Sequence, residues 1–171
     1  MKRPPFIVST ADVPEKWDRY PNSDEPLAHG RAIGRAAGLL RIGLHVMRVP
    51  PGHRVSWPHA EEKEEEFVYV LDGTVDAWID GELHPMKAGD LAAFPAGTGI
   101  CHTFINNGEH EVTLLAGGEA SKPDNRIYYP HHPQRRGDMP WSHWWEGAPK
   151  RPHGPHDGKP DALREQERDE R

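Results

Sequence analysis

Four tight-turn signals at short intervals constrain this chain more than any other feature: Asp72-Gly73, Asp80-Gly81, Ala88-Gly89 and Asn107-Gly108. Between and beside them lie short apolar-rich runs, EFVYVL to Leu71, TVDAWID to Asp80, DLAAF to Phe94, HTFIN to Asn106 and EVTLLAG to Gly117. Turns of this type reverse a chain within a couple of residues, which leaves room for strands but not for long helices. The spacing therefore predicts an all-β sandwich or barrel. Upstream, LRIGLHVMRV (40–49) alternates Leu40, Ile42, Leu44 and Val46 against Arg41, Gly43, His45 and Met47, the period of a half-buried strand, and Pro50, Pro51 and Gly52 end it. In FVYVL both parities are apolar. That strand is expected to be covered on both faces, by the core on one side and by a second sheet, an arm or another subunit on the other.

Composition agrees with short elements. The chain carries 17 glycines and 18 prolines and is only 35% hydrophobic, and its 171 residues suffice for one core plus extra segments. Residues 1–37 read as an N-terminal arm, 38–118 as the barrel, 119–160 as an aromatic, proline-rich arm packing on it, and 161–171 as a charged tail in which Asp161 caps a short helix. Tyr128, Tyr129, Trp141, Trp144 and Trp145 are the residues expected to pin the second arm. The formal charge is -6, with residues 61–90 strongly acidic, so nucleic acid is an unsuitable partner. The single cysteine, Cys101, allows neither an intrachain disulfide nor a cysteine-based zinc cage. The N-terminal apolar run, Phe6 to Val8, is too short for a signal-peptide core, and no stretch is long enough for a membrane span, so a soluble cytoplasmic protein is expected.

The chemistry is concentrated in WPHAEEKEEEFVYVLDG, residues 57–73. On a strand His59 and Glu61 share a face, because side chains alternate with period two. Glu66 joins that face only if the chain turns at residues 62–65 and returns as a second strand. One imidazole and two carboxylates then converge on a site suited to a divalent ion; the alternative is a solvated loop with His59 at the surface. A second segment, GDLAAFPAGTGICHTFIN (89–106), brings His102 to the start of another strand.

Together the two segments resemble the cupin family, whose first motif places His-x-His, then a glutamate, then a glycine, and whose second runs from glycine through Pro-x-Gly to His and Asn. Glu66 precedes Gly73 by the family's six-residue interval, and counting back sets Glu61 at the second histidine and His59 at the first. Gly52 lies one residue further upstream than the pattern asks. Gly89, Pro95 and Gly97 match, Asn106 follows His102 at the expected interval, and the Gly97–His102 loop is two residues longer, with Ile100 at the nominal histidine position. The resemblance implies a jelly-roll barrel, a double-stranded β-helix, over about residues 38–118. It also implies a metal held by His59, Glu61, Glu66 and His102, and a homodimer. With glutamate in place of one histidine the set is two imidazoles and two carboxylates, which favours Mn or Fe while leaving Zn or Ni open.

That resemblance allows isomerases, decarboxylases, dioxygenases and lyases, acting on a small molecule, and equally a non-catalytic metal- or ligand-binding cupin. Other candidates read as structural. Cys101 points away from His102 on a strand and suits a buried small hydrophobe. His45 and His53 read as surface or supporting groups, Trp78 as a pocket-mouth or arm-covered residue, and His131, His132, His143, His153 and His156 lack ligand spacing.

Overall fold

The computed structural model describes residues 3–17 and 19–169. Among them the chain forms a jelly-roll barrel of antiparallel strands. The strands are β1 (Lys16–Trp17), β2 (His29–Arg31), β3 (Ile42–Val49), β4 (Ala60–Glu61), β5 (Glu66–Asp72), β6 (Thr74–Ile79), β7 (Glu82–Lys87), β8 (Leu91–Phe94), β9 (His102–Ile105), β10 (Val112–Glu119) and β11 (Ile127–Tyr128). The larger sheet runs β1-β2-β3-β10-β5-β8, the smaller β7-β6-β9, and β4 pairs with β11. Bridges Arg54↔Ile105 and His59↔His102 lay residues 54–59 along the free edge of β9. The β5–β6 and β6–β7 hairpins turn at Gly73 and Gly81, both at positive φ, where a side chain would be strained.

The barrel core follows from alternation. Met47, Val49, Val68, Val70, Val75, Ala77, Phe94, Phe104, Val112 and Leu114 all point inward and are buried. In β3 the inward parity is that of Met47 and Val49, the opposite of the Leu40, Ile42, Leu44 and Val46 set that looks like the core face in the sequence. Those residues lie on the outer face, where Leu40 and Ile42 are exposed and Leu44 packs under Gly34 of the short helix α1 (Ile33–Ala36). On that face Val46, Leu115, Tyr69 and Leu91 stand in one row across four strands. Tyr69, Leu71 and Leu91 are exposed, so among the described residues nothing covers the outer parity of FVYVL at positions 69 and 71.

Both terminal segments wrap the barrel. The first pairs β2 with β3. The second crosses the outer face of the smaller sheet, where Trp78 is fully buried and donates Nε1–H to the His156 carbonyl at 2.8 Å. Trp78 is therefore covered by the arm and opens on no pocket. Asp80 receives Arg151 Nε at 2.6 Å and the Cys101 amide at 2.9 Å. Burial pushes the Cys101 thiol up to about 12, so it packs as a small apolar group. The last helix, α3, spans Asp161–Asp169, with Pro160 accepting the first amide bonds; Asp161 is thus its first residue and not its cap. The side chain of Trp141 lies outside the described residues. No helix among those described is long and apolar enough to cross a membrane.

Arg54 joins all three segments. It is fully buried, pairs with Glu25 of the first arm through Nε at 2.5 Å and Nη2 at 2.7 Å, and donates Nη1–H to the Gly158 carbonyl at 2.6 Å. Beside it Tyr20 stacks on Trp57 with ring centroids 4.0 Å apart, and Trp57 stacks on His132 at 3.9 Å. One residue from each arm thus sandwiches a barrel tryptophan.

Candidate metal centre

His59 and His102 sit directly opposite one another on neighbouring strands. Their backbones exchange hydrogen bonds, His59 N to His102 O at 3.2 Å and His102 N to His59 O at 2.9 Å. Directly paired residues point to the same face, so both imidazoles enter the barrel with centroids 5.0 Å apart. Glu66 comes from across the barrel, as the first residue of β5 with the inward parity of Val68 and Val70. The run at 62–65 does reverse the chain, but as a crossover between sheets: β4 pairs with β11, while β5 pairs with β10 and β8. Convergence therefore comes from barrel closure and not from a local hairpin.

Ligand atoms of His59, Glu66 and His102 all lie within 4.8 Å of one another. Glu66 Oε2 is 3.3 Å from His102 Nε2 and 3.5 Å from His59 Nε2. It is buried and makes no hydrogen bond. The far nitrogens are held from behind: His59 Nδ1 lies 2.8 Å from the Trp57 carbonyl, and His102 Nδ1 3.4 Å from the Ile100 carbonyl. An Nδ1–H donated to a carbonyl leaves the Nε2 lone pair facing inward, the tautomer a metal ligand needs. Phe94 stacks on His102 with centroids 3.5 Å apart, fixing the ring plane and keeping water off that side.

Glu61 stands at the edge of this group. Its Oε1 is 3.9 Å from His59 Nε2, and its Oε2 accepts a hydrogen bond from the Asn125 amide. It does not fall within the mutual cluster formed by the other three. Burial, followed by the competing charges of His59 and Glu66, pushes Glu61 up to about 7. Burial works against a charged His59, yet the neighbouring Glu66 carboxylate, with Glu61 and the Trp57 carbonyl, raises it to about 9. Burial also opposes charge on Glu66, and the two imidazoles outweigh it, keeping that carboxyl well below the usual range. For His102 burial prevails and the value is lowered.

The rest of the acidic run is tied down. Glu62 forms a bidentate pair with Arg126, Nε at 2.5 Å and Nη2 at 2.6 Å, Lys63 pairs with Asp124, and Glu64 accepts the Lys122 amide at 2.5 Å. These residues thus dock the segment after β10 as well as meeting solvent. Of the remaining candidates, His53 binds the Leu27 carbonyl at 3.2 Å and supports the first arm, while His45 is exposed. Asp80, Cys101 and His153 also approach within 4.8 Å, but on the outer face, where Asp80 is already bound by Arg151.

One neighbour of the cluster is not legible in the sequence. Tyr129, buried, lies 5.7 Å from the His59 ring by centroids and 6.0 Å from Tyr20. Both tyrosines belong to the arms, and no local period links them to the donors. The tail's aromatic content was the available signal, but it does not say which ring reaches the site.

Comparison with known proteins gives a consistent picture. The family model described as Cupin domain matches residues 45–117. Protein SchB of Streptomyces halstedii is 32% identical over 120 residues, 69% of this chain and 81% of that protein. Polyketide synthase CurC of Streptomyces cyaneus is 35% identical over 83 residues, 48% of this chain and about half (49%) of its own length. The solved structure of a cupin-superfamily sugar phosphate isomerase from Silicibacter pomeroyi superposes with a TM-score of 0.68 at 31% identity, covering 72% of this chain and 80% of the other.

Proposed function

Because the chain belongs to the cupin superfamily, we propose that it is a small-molecule metalloenzyme of that superfamily, holding one divalent ion on His59, Glu66 and His102 with Glu61 as fourth ligand. The observation that carries this reading is the Glu66 oxygen that is buried, unbonded and aimed between two imidazole nitrogens. A buried carboxylate oxygen without a partner is costly, and a cation at that point removes the cost. Glu61 needs only to turn from Asn125 to complete two imidazoles and two carboxylates, a set that neutralises a divalent charge and suits Mn or Fe, with Zn or Ni as alternatives. When bound, such an ion supplies Lewis acidity toward a carbonyl or enolate or, as iron, reactivity toward dioxygen.

The chain's own groups prepare the site. The Trp57 and Ile100 carbonyls orient the two rings, Phe94 excludes water beside His102, and Tyr129 packs beside the His59 ring. Names such as sugar phosphate isomerase and polyketide synthase among the relatives support an oxygen-rich, carbonyl-bearing substrate. The exposed row on the outer face supports a homodimer, and the lone buried thiol supports a reducing, cytoplasmic setting.

Metal analysis of protein purified without chelator tests the reading. Near-stoichiometric Mn, Fe, Zn or Ni is expected, and it should fall at least tenfold in His102→Ala. Wild-type protein free of metal and unchanged in melting temperature on adding these ions would sink it. A metal-loaded protein that turns over no carbonyl substrate would shift the reading to the alternative, a binding or sensing module on the same site.

A further inference from the structure

We propose that the molecule acted on at this centre lays an uncharged, largely apolar body, such as a fused ring system, in a groove beside Glu66, and that phosphorylated molecules are disfavoured there. The inference deepens the reading above and rests on it for calling that molecule a substrate.

The donors leave no room of their own. The gap bounded by Glu61, Glu66 and His102 has no space for a water-sized body, so all but the reacting end of a substrate lies outside it. The four side chains differ in what they show to the outside: His102, Glu61 and His59 are 7%, 10% and 13% exposed, and Glu66 is 35% exposed. Glu66 also borders a groove of about 340 Å³. Glu66, Phe94 and Pro95 line both spaces, so the groove adjoins the donors directly. A further cavity, about 210 Å³ and beside the short helix α2 (Arg135–Asp138), is lined by none of the donors.

Strand register explains why the groove lies here. Glu66 is paired with Gly118 on one side and Phe94 on the other. Directly paired residues share a face, and Gly118 leaves the place beside Glu66 empty of side chain. The walls are Ile42, Phe67, Ala93, Phe94 and Pro95, all from one sheet and the loop that follows it. Benzene is held by a cavity of roughly 150 Å³, so the space suits two fused rings, whose burial against these walls is favourable. The charged residues of the lining are Glu65, Glu66 and Glu119, and no lysine, arginine or histidine lines it. Lys122, bound to Glu119 Oε2 and to the Lys63 carbonyl at 2.6 Å each, is already engaged. A phosphate would therefore meet carboxylates without a free cation to answer it. A protein surface laid over the groove would enclose the Glu65 and Glu66 carboxylates, whereas a small molecule leaves the acidic rim in water.

Full-length protein is titrated by calorimetry with naphthol, an uncharged fused-ring alcohol at neutral pH, and with naphthyl phosphate at constant ionic strength. Saturable naphthol binding is expected, with the phosphate ester at least tenfold weaker. Ala93 is exposed and stands outside the donor set, so A93W should fill the groove and weaken naphthol by about tenfold or more, with circular dichroism and metal content unchanged. A93K, which adds a cation, should narrow the gap between alcohol and ester to threefold or less. L71K/L91K, altered on the open outer face away from the groove, should bind naphthol as wild type does. A metal-free wild type that still binds naphthol counts against the metal centre and leaves the groove standing. No saturable naphthol binding, an ester bound as tightly as the alcohol, an unchanged gap in A93K, A93W equal to wild type, or loss of binding in L71K/L91K overturns the assignment.

Discussion

Arg54 shows how far one side chain determines the rest. Its guanidinium is fully buried and satisfied by Glu25, Gly158 and His132, one group or more from each arm. Replacing it with methionine leaves the Glu25 carboxylate enclosed without its cation, a change that typically costs about 3–5 kcal/mol. We expect R54M to lose stability of that order in urea unfolding, and the double variant E25Q/R54M to recover part of it; a loss below about 1 kcal/mol, the range of surface pairs, would show the pair to be unimportant. At this scale the sequence was informative about donors and silent about partners. His59, Glu66 and His102 stand out because their spacing to Gly73, Gly89 and Asn106 is local. The bond from Asn125 to Glu61 is not legible, because it depends on where a segment 64 residues downstream comes to lie.

Elements obeyed alternation, but alternation does not say which parity faces the core. β3 carries apolar residues on both faces, and the more conspicuous set, Ile42 and Leu44, lies outside, where α1 and open surface meet it. The turns were legible because Gly73 and Gly81 adopt positive φ, a requirement written in single residues. The docking of the second arm was legible only as aromatic excess. His132 makes that docking sensitive to acid. Burial first, then the Arg54 cation, lower its value from 6.5 to about 3, so the folded chain keeps it neutral where the unfolded chain takes up a proton. Its contribution is complete above pH 6.5 and diminishes as pH falls toward 3, by about 1.4 kcal/mol per pH unit for one proton. Urea midpoints at pH 7 and pH 5 should therefore drop more for wild type than for His132→Gln, and parallel drops would remove His132 from the account.

The molecule as a whole leaves one large surface unfinished. Val46, Leu115, Tyr69 and Leu91 form a row on the outer face of the larger sheet, and Tyr69, Leu71 and Leu91 remain exposed in the single chain. Contiguous apolar surface of this kind marks an association site, and a second copy of the same chain would bury the row against itself. Light scattering at micromolar concentration should report a dimer for wild type and a monomer for L71K/L91K with unchanged circular dichroism; a monomeric wild type would end the proposal. The sequence leads to the expectation that FVYVL is covered on both faces, whereas among the described residues Tyr69 and Leu71 stay exposed, and an arm and a partner would leave the same pattern in one strand. The packing of Tyr129 between His59 and Tyr20 has a further consequence. All three converging donors belong to the barrel, while the tyrosine beside His59 belongs to the second arm and meets Tyr20 of the first. Donor set and arm contact can therefore mutate on separate schedules: a library confined to positions 20 and 129 would alter what packs beside His59 while the imidazoles and carboxylates stay where the strands put them.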